Sequence, residues 1–318
     1  MEAAGISIIS ASAIADVAAS PSRRSRNMSL KMGRNQAAGN KIHAEEQTVK
    51  EKPNWIKQLL KDEASWSQTL VAGLAEFLGT AILIFVGCMG CVGSLTDIPN
   101  ALQTALTFGF AVTCVIQIIG HISVAHINPA VTVSAVILGH KSLPAAAVYI
   151  LAQLSGAVVG YGMLKAITPT ELLHNGDDTS ASSFCVTLIH TKISVIQGLI
   201  VETVTTGVLI LLCCASWDPR NARNSDSTPI KFGLTVTTLS LSGGPYTGCS
   251  MNPARTFGPA LWNNAWSSHW VYWLGPMAGS ILATLAYKTL FWPRKPADKD
   301  IPEAAALNSV ATEKQEVN

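Results

Sequence analysis

The sequence predicts an all-α membrane protein, with six transmembrane helices plus two re-entrant half-helices in two inverted repeats. Composition is the first observation behind this. Of 318 residues, 48% are hydrophobic and 13% charged, and the apolar residues gather in long runs, as in helical membrane proteins and unlike soluble enzymes with large cores. The second is the tripeptide Asn-Pro-Ala, which occurs at 128–130 and again at 252–254, each time inside an apolar half of the chain. Third, the halves repeat. Glu76 in its apolar run resembles Glu202 in its own at an offset of 202 − 76 = 126, against 252 − 128 = 124 for the tripeptides. Three apolar runs per half is an odd number, so the second half must enter the membrane upside down.

Residues 1–52 are rich in Ala, Ser and basic side chains without a sustained period, and are expected to form a disordered cytosolic tail. Their mildly apolar opening lacks a basic leading region and carries Glu2, against a cleaved signal. Arg23, Arg24 and Arg26 ahead of Ser29 make a basic patch suited to acidic lipids, and also to a basophilic kinase. Residues 53–69 are expected to lie in the membrane interface as an amphipathic helix, with Trp55, Ile56, Leu59 and Leu60 on one face. The first repeat, 70–166, holds spans near 70–95, 102–122 and 143–166 and the first half-helix. A loop follows at 167–191. The second repeat, 192–291, holds spans near 192–216, 230–245 and 268–291 and the second half-helix, before a tail at 292–318. Basic residues cluster before span one, in the 217–231 loop and after span six, whereas the 167–191 loop carries Glu171, Asp177 and Asp178. The positive-inside rule therefore places both termini in the cytosol of a multi-pass protein, with the 167–191 loop outside.

Asn is a good helix N-cap and Pro is at home in the first helical position, so a helix should start at each tripeptide, within the membrane. Irregular backbone at that depth survives only where protein buries it or where it lines a polar cavity. The runs 120–126 and 243–250 are expected to be unwound and to offer carbonyls along such a path. The two half-helices should enter from opposite faces and meet with Asn128 against Asn252, each turning its positive dipole end, roughly half an elementary charge, to the centre. Cations are repelled there, while the Asn amides can donate to a neutral molecule. Arg255, one turn into the second half-helix, costs roughly 2.5–3.5 kcal/mol on insertion scales and reads as part of a constriction. Nothing in the pattern activates a nucleophile, so a passive channel is expected, not an enzyme. His121 and His126 have no Cys or carboxylate at ligand spacing; packing or loop hydrogen bonds are expected of them, and no metal or cofactor. Most of the seven cysteines lie in apolar runs and read as buried thiols, with no disulfide framework. A net charge of +2 gives no sign of a nucleic-acid partner.

Across about residues 70–291, two Asn-Pro-Ala half-helices with Arg255 after the second resemble the major intrinsic protein family of aquaporins and aquaglyceroporins. The resemblance implies an aquaporin-like fold in a lipid bilayer, that of the cell membrane, and a homotetramer. It also implies that Glu76 and Glu202, otherwise candidate proton relays, brace the unwound loops together with His126. The family's narrowest ring uses four positions, which fall here on Phe108, Ser240, Cys249 and Arg255. Water-selective members carry His at the Ser240 position, so the ring is expected to be wider and to pass glycerol and urea with water, as in the insect glycerol-permeable branch. Counting across Gly243, Gly244 and Pro245 leaves Ser242 or Thr238 as alternatives for that position, and neither is His. Thr256, where ordinary glyceroporins usually have Asp, departs from their pattern, and Ala260, Tyr272 and Trp273 resemble water channels. The other readings are a mainly water-selective aquaporin, an ion-coupled secondary transporter and a junction protein.

Overall fold

The structure, a computed structural model, describes Leu60 and residues 65–92, 99–173 and 184–293. The tail 1–52, most of the interfacial segment 53–69, Asp177, Asp178 and nearly all of 292–318 lie outside the described residues.

Eight helices organise the described chain: α1 (Trp66–Met89), α2 (Ala101–Ser123), α3 (Pro129–Leu138), α4 (Leu143–Ile167), α5 (Val195–Trp217), α6 (Thr228–Thr247), α7 (Pro253–Asn263) and α8 (Val271–Leu290). A single turn at Thr170–Leu173 and a 3₁₀ segment at Pro219–Ser227 complete them. Of these, α1, α2, α4 and α5 are long and apolar enough to cross a membrane, and α6 and α8 reach 20 residues each. The short α3 and α7 are the half-helices.

Helix ends follow local chemistry. Ser65 and Gln68 form a reciprocal capping box, so α1 begins at Trp66 and takes residues 66–69 from the expected interfacial segment. Ser194 and Gln197 repeat the device at α5. Asn128 and Asn252 cap α3 and α7, with Pro129 and Pro253 in the first turn. The unwound runs are shorter than expected. Helix α2 continues through His121 to Ser123 and α6 through Gly243, Gly244 and Pro245 to Thr247. Each stops only where the next residue turns left-handed and returns its N–H to the preceding turn, Val124 to the Gly120 carbonyl and Gly248 to that of Gly244.

The packing repeats with the sequence. Helix α1 lies against α4 as α5 lies against α8, α2 meets α6 between the halves, and each half-helix docks on the last span of the other repeat, α3 on α8 and α7 on α4. Lipid offers no hydrophobic force between helices, so close backbone approach through small residues must hold them. Gly156 and Gly160 sit against the Phe77 and Ala81 backbone, and Gly279 against the Thr203 carbonyl; a Cβ at any of the three would overlap main-chain atoms. The outer faces, including Leu70, Val71, Leu74 and Leu78 of α1, remain exposed and apolar.

One expectation about cysteine is corrected. Cys88, near the end of α1, and Cys185, in the segment before α5, are joined in a disulfide. The fold brings the end of α1 and that segment to one place, with Cα atoms 5.6 Å apart, within the span a disulfide bridges. Cys91, Cys114, Cys213, Cys214 and Cys249 are free.

Two predictions follow from this architecture. Gly160→Val should destabilise the detergent-solubilised protein by about 1–3 kcal/mol through overpacking at the α1–α4 contact. Gly207→Ala, where a new Cβ meets nothing closer than 3.8 Å, should leave thermal unfolding unchanged or raise its midpoint. The second concerns Asp218, which accepts from the Arg220 amide and Nε at 2.9 Å each and from the Tyr287 hydroxyl at 3.2 Å. These bonds, those from Arg220 first, hold its carboxyl down at about 2. Because the folded value lies below the unfolded one of about 3.9, this contribution to stability is full above pH ~4 and is lost as pH falls toward 2. Thermal melts of wild type and Asp218→Asn across pH 2–6 should converge at the acid end.

Candidate functional site

One cavity of about 1130 Å³ runs from Pro99 and Ala101 at the start of α2 to Asp226 and Thr228 at the start of α6. The two helices that meet between the halves supply its long walls. Thr104, Phe108, Val112, Ile116 and Gly120 of α2 line it, as do Phe232, Val236, Ser240 and Gly244 of α6. Spacing of four keeps each set on one helix face. Asn128, Asn252, His126, Phe108, Ser240, Cys249 and Arg255 all line this cavity.

The loops 124–128 and 248–252 are shaped by strain and by two carboxylates. Val124, Ala125 and Ile127 have φ of 69°, 49° and 44°, and Gly248, Cys249 and Met251 repeat this at 75°, 46° and 54°. Left-handed non-glycine residues cost about 1–3 kcal/mol each and persist only where surroundings over-determine them. Glu76 does so in the first loop. It is fully buried and accepts from the Ser123 hydroxyl at 2.6 Å, the amides of His126 and Ile127 at 2.8 and 2.6 Å, and Gln153 Nε2 at 2.8 Å. Glu202, equally buried, accepts from the Thr247 hydroxyl at 2.6 Å and the amides of Ser250 and Met251 at 2.9 and 2.8 Å. Neither carboxylate lines the cavity.

A trans peptide points its N–H and C=O in opposite directions. Drawing the amides of His126 and Ile127 onto Glu76 therefore turns the carbonyls of Ala125 and His126 away from it. The amides of Ser250 and Met251 do the same for the carbonyls of Cys249 and Ser250. All four of these carbonyl-bearing residues line the cavity, giving a row of acceptors across the middle of the path.

Asn128 and Asn252 meet at the centre and lock the loops together. Asn128 Nδ2 donates to the Met251 carbonyl at 2.9 Å, and Asn252 Nδ2 donates to the Ile127 carbonyl at 2.8 Å. Their Oδ1 atoms accept from the amides of Ala130 and Ala254 at 2.8 and 3.0 Å. A primary amide has two N–H donors. One is consumed by the opposite loop and the other is left for a molecule in the cavity.

Phe108, Ser240, Cys249 and Arg255 line one cavity, and Arg255 stands over the Phe108 ring. The α6 register is settled by exposure: Ser240 faces the cavity, whereas Thr238 and Ser242 are on the outer face, bonded to the carbonyls of Leu234 and Thr238. Cys249 donates its thiol to the Leu239 carbonyl at 3.1 Å. Arg255 is buried, and no described carboxylate lies within 4.0 Å of it. Its Nη1 donates to the Cys185 carbonyl at 2.7 Å, and its guanidinium carbon stands 4.6 Å from the Phe108 ring centroid. The charge is thus solvated by a carbonyl and a π-face.

At an offset of 124 these four residues have counterparts in the other repeat. Phe108, Ser240, Cys249 and Arg255 correspond to Phe232, Ile116, Ala125 and Val131, and all four of these also line the cavity. The second set is wholly apolar. Beyond it, His126 packs between Tyr149 and Trp217, with ring centroids at 5.1 and 5.7 Å, and its Nδ1 is 3.2 Å from the Thr132 hydroxyl. His121 is exposed at the cavity mouth.

Residues that depart from or follow family patterns act behind the lining. Thr256 bridges the Thr187 and Ser250 hydroxyls at 2.8 and 2.6 Å. Tyr272 donates to the Thr247 carbonyl at 2.9 Å, Ala260 is fully buried, and Trp273 donates to His269 at 3.1 Å. Sequence reasoning missed Cys185, Cys88 and Gly87. A signal was available: Cys88 lies near the outer end of span one and Cys185 in the loop expected outside, which puts both on the oxidising side.

Residues 63–287 match the major intrinsic protein family. Rat aquaporin-2 is 40% identical over 222 residues, covering 70% of this chain and 79% of the relative. Human aquaporin-5 is 37% identical over 235 residues, covering 74% and 86%. The crystal structure of the aquaglyceroporin from Plasmodium falciparum superposes with a TM-score of 0.61 at 23% identity, over 75% of this chain and 99% of that one. With paired half-helices meeting at Asn128 and Asn252 in an all-helical membrane fold, this chain belongs to the major intrinsic protein family.

Proposed function

We propose that this chain is a passive channel that carries water and, through a filter opened by Ser240, also glycerol and urea, while excluding ions and protons. The water reading is the one the sequence relatives favour, since rat aquaporin-2 and human aquaporin-5 are both named aquaporins. The solute reading rests on Ser240. At a ring of Phe108, Cys249 and Arg255, a hydroxymethyl group in place of an imidazole leaves more room and keeps one donor and acceptor. Phe108 offers a wall for a carbon backbone, and Arg255, Ser240 and the loop carbonyls serve hydroxyls on the other side. This combination resembles the insect glycerol-permeable branch.

An ion-coupled transporter would need an acid in the path. Both buried acids instead spend their oxygens on loop amides and hydroxyls, and neither lines the cavity. In the proposed orientation both termini are cytosolic, the Pro99 end opens outside the cell and the Asp226 end opens to the cytosol. The exposed apolar faces meet lipid and, by family resemblance, the other members of a homotetramer.

Stopped-flow light scattering on proteoliposomes tests the filter. Wild type should admit water, glycerol and urea, and Ser240→His should keep water permeability while losing glycerol by about tenfold or more, the scale on which a pocket discriminates a small change in bulk. Wild-type vesicles that pass water and exclude glycerol would leave the water-selective reading in its place. Arg255→Ala should raise urea flux and let a pH gradient collapse faster, read with an entrapped pH dye. An unchanged gradient would remove Arg255 from ion exclusion.

A further inference from the structure

Arg255 is supported by two residues, Cys185 through its carbonyl and its Sγ (3.6 Å) and Phe108 through its ring, and both lead back to adjacent residues of α1. The Cys185 carbonyl accepts from its Nη1 at 2.7 Å, and Cys185 is bonded through sulfur to Cys88. The Phe108 ring faces its guanidinium at 4.6 Å, and that ring lies where a Cβ on Gly87 would stand. Gly87 and Cys88 thus complete a closed circuit through Cys185, Arg255 and Phe108. Cys185 also has φ of 54°, a left-handed conformation that a non-glycine residue leaves once its restraints are gone. Its neighbour Phe184 is held separately, by the Tyr161 hydroxyl on its carbonyl at 2.7 Å.

We propose that the Cys88–Cys185 disulfide is a positioning element of the pore ring. By fixing the strained Cys185 carbonyl to α1, it fixes the Arg255 guanidinium over Phe108 and sets the opening left beside Ser240. This rests on reading Phe108, Ser240, Cys249 and Arg255 as the filter. With the bond opened, Cys185 relaxes, the carbonyl moves from Nη1, and the guanidinium turns to other acceptors along the cavity wall. The selectivity of the ring changes while the helix bundle stays assembled.

Full-length protein in proteoliposomes provides the test, with the glycerol-to-water permeability ratio as the readout. Six samples are compared: oxidised wild type, wild type reduced in the folded state with a phosphine, Cys88→Ser/Cys185→Ser, and each of these three again with Arg255→Ala. Peptide mapping after alkylation reports whether Cys88 and Cys185 are paired. Opening the bond should shift the ratio by about threefold or more, the low end of what one net hydrogen bond contributes. The shift should vanish in the Arg255→Ala background, because the disulfide acts through that side chain. An unchanged ratio with the bond shown to be open overturns the proposal, as does an equal shift without Arg255, or free Cys88 and Cys185 thiols in the folded wild type. The double serine variant carries the test where the reductant does not reach the buried bond, and reduction of folded protein carries it where that variant fails to assemble. Wild type that passes water alone defeats the solute reading instead, and opening the bond should then admit glycerol.

Discussion

The need to satisfy backbone amides inside a bilayer governs this structure. Two helices stop and two start near the membrane centre, and each break exposes N–H groups to a medium that cannot solvate them, at several kcal/mol for each one left unmet. Glu76 and Glu202 answer that need from behind the loops. Each is a costly buried group made tolerable by three or four donors at 2.6–2.9 Å. The positive φ values, the direction of the carbonyls and the facing half-helix ends are consequences of that arrangement. Water-like acceptors reach the cavity because the donors are drawn the other way.

The order and packing of the helices repeat between the halves, and the chemistry along the cavity does not. Arg255 stands where the other repeat has Val131, and Ser240 where it has Ile116. Phe108 and Phe232, by contrast, are the same residue at both ends. A molecule entering from the Pro99 end therefore meets charge, hydroxyl and carbonyl groups first and a ring with no polar side chain later. Inverted repetition supplies two equivalent sets of lining positions, one of them with polar side chains and the other wholly apolar.

Much of this was legible in the sequence because it is carried by short-range rules. Asn before Pro in an apolar run announces a cap and a helix start, and the 124-residue offset relates the two starts, whereas the four filter positions follow only from the family resemblance. What escaped depended on how far a helix persists and on long-range approach. Gly243, Gly244 and Pro245 look like helix breakers, yet α6 runs through them and the left-handed stop comes only at Gly248. The Cys88–Cys185 bond joins residues 97 apart, and apolar surroundings made each cysteine look like an isolated buried thiol. Ser65 with Gln68 was a readable capping box that moves the start of α1 four residues upstream.

The electrostatics at the centre explain why such a path suits neutral molecules. Each half-helix presents roughly half a positive charge, and such a half-charge about 4 Å from a monovalent cation costs roughly 2 kcal/mol at an effective dielectric of 20. Two facing ends double that, and Arg255, with no described carboxylate within 4.0 Å, adds a full charge farther along. The loop carbonyls pull the other way, but they are dipoles whose field falls off faster than that of a charge. A neutral donor and acceptor collects the carbonyls and the spare Asn N–H without paying the repulsion. A hydrated cation would have to shed its shell for the same few contacts and still oppose three positive centres.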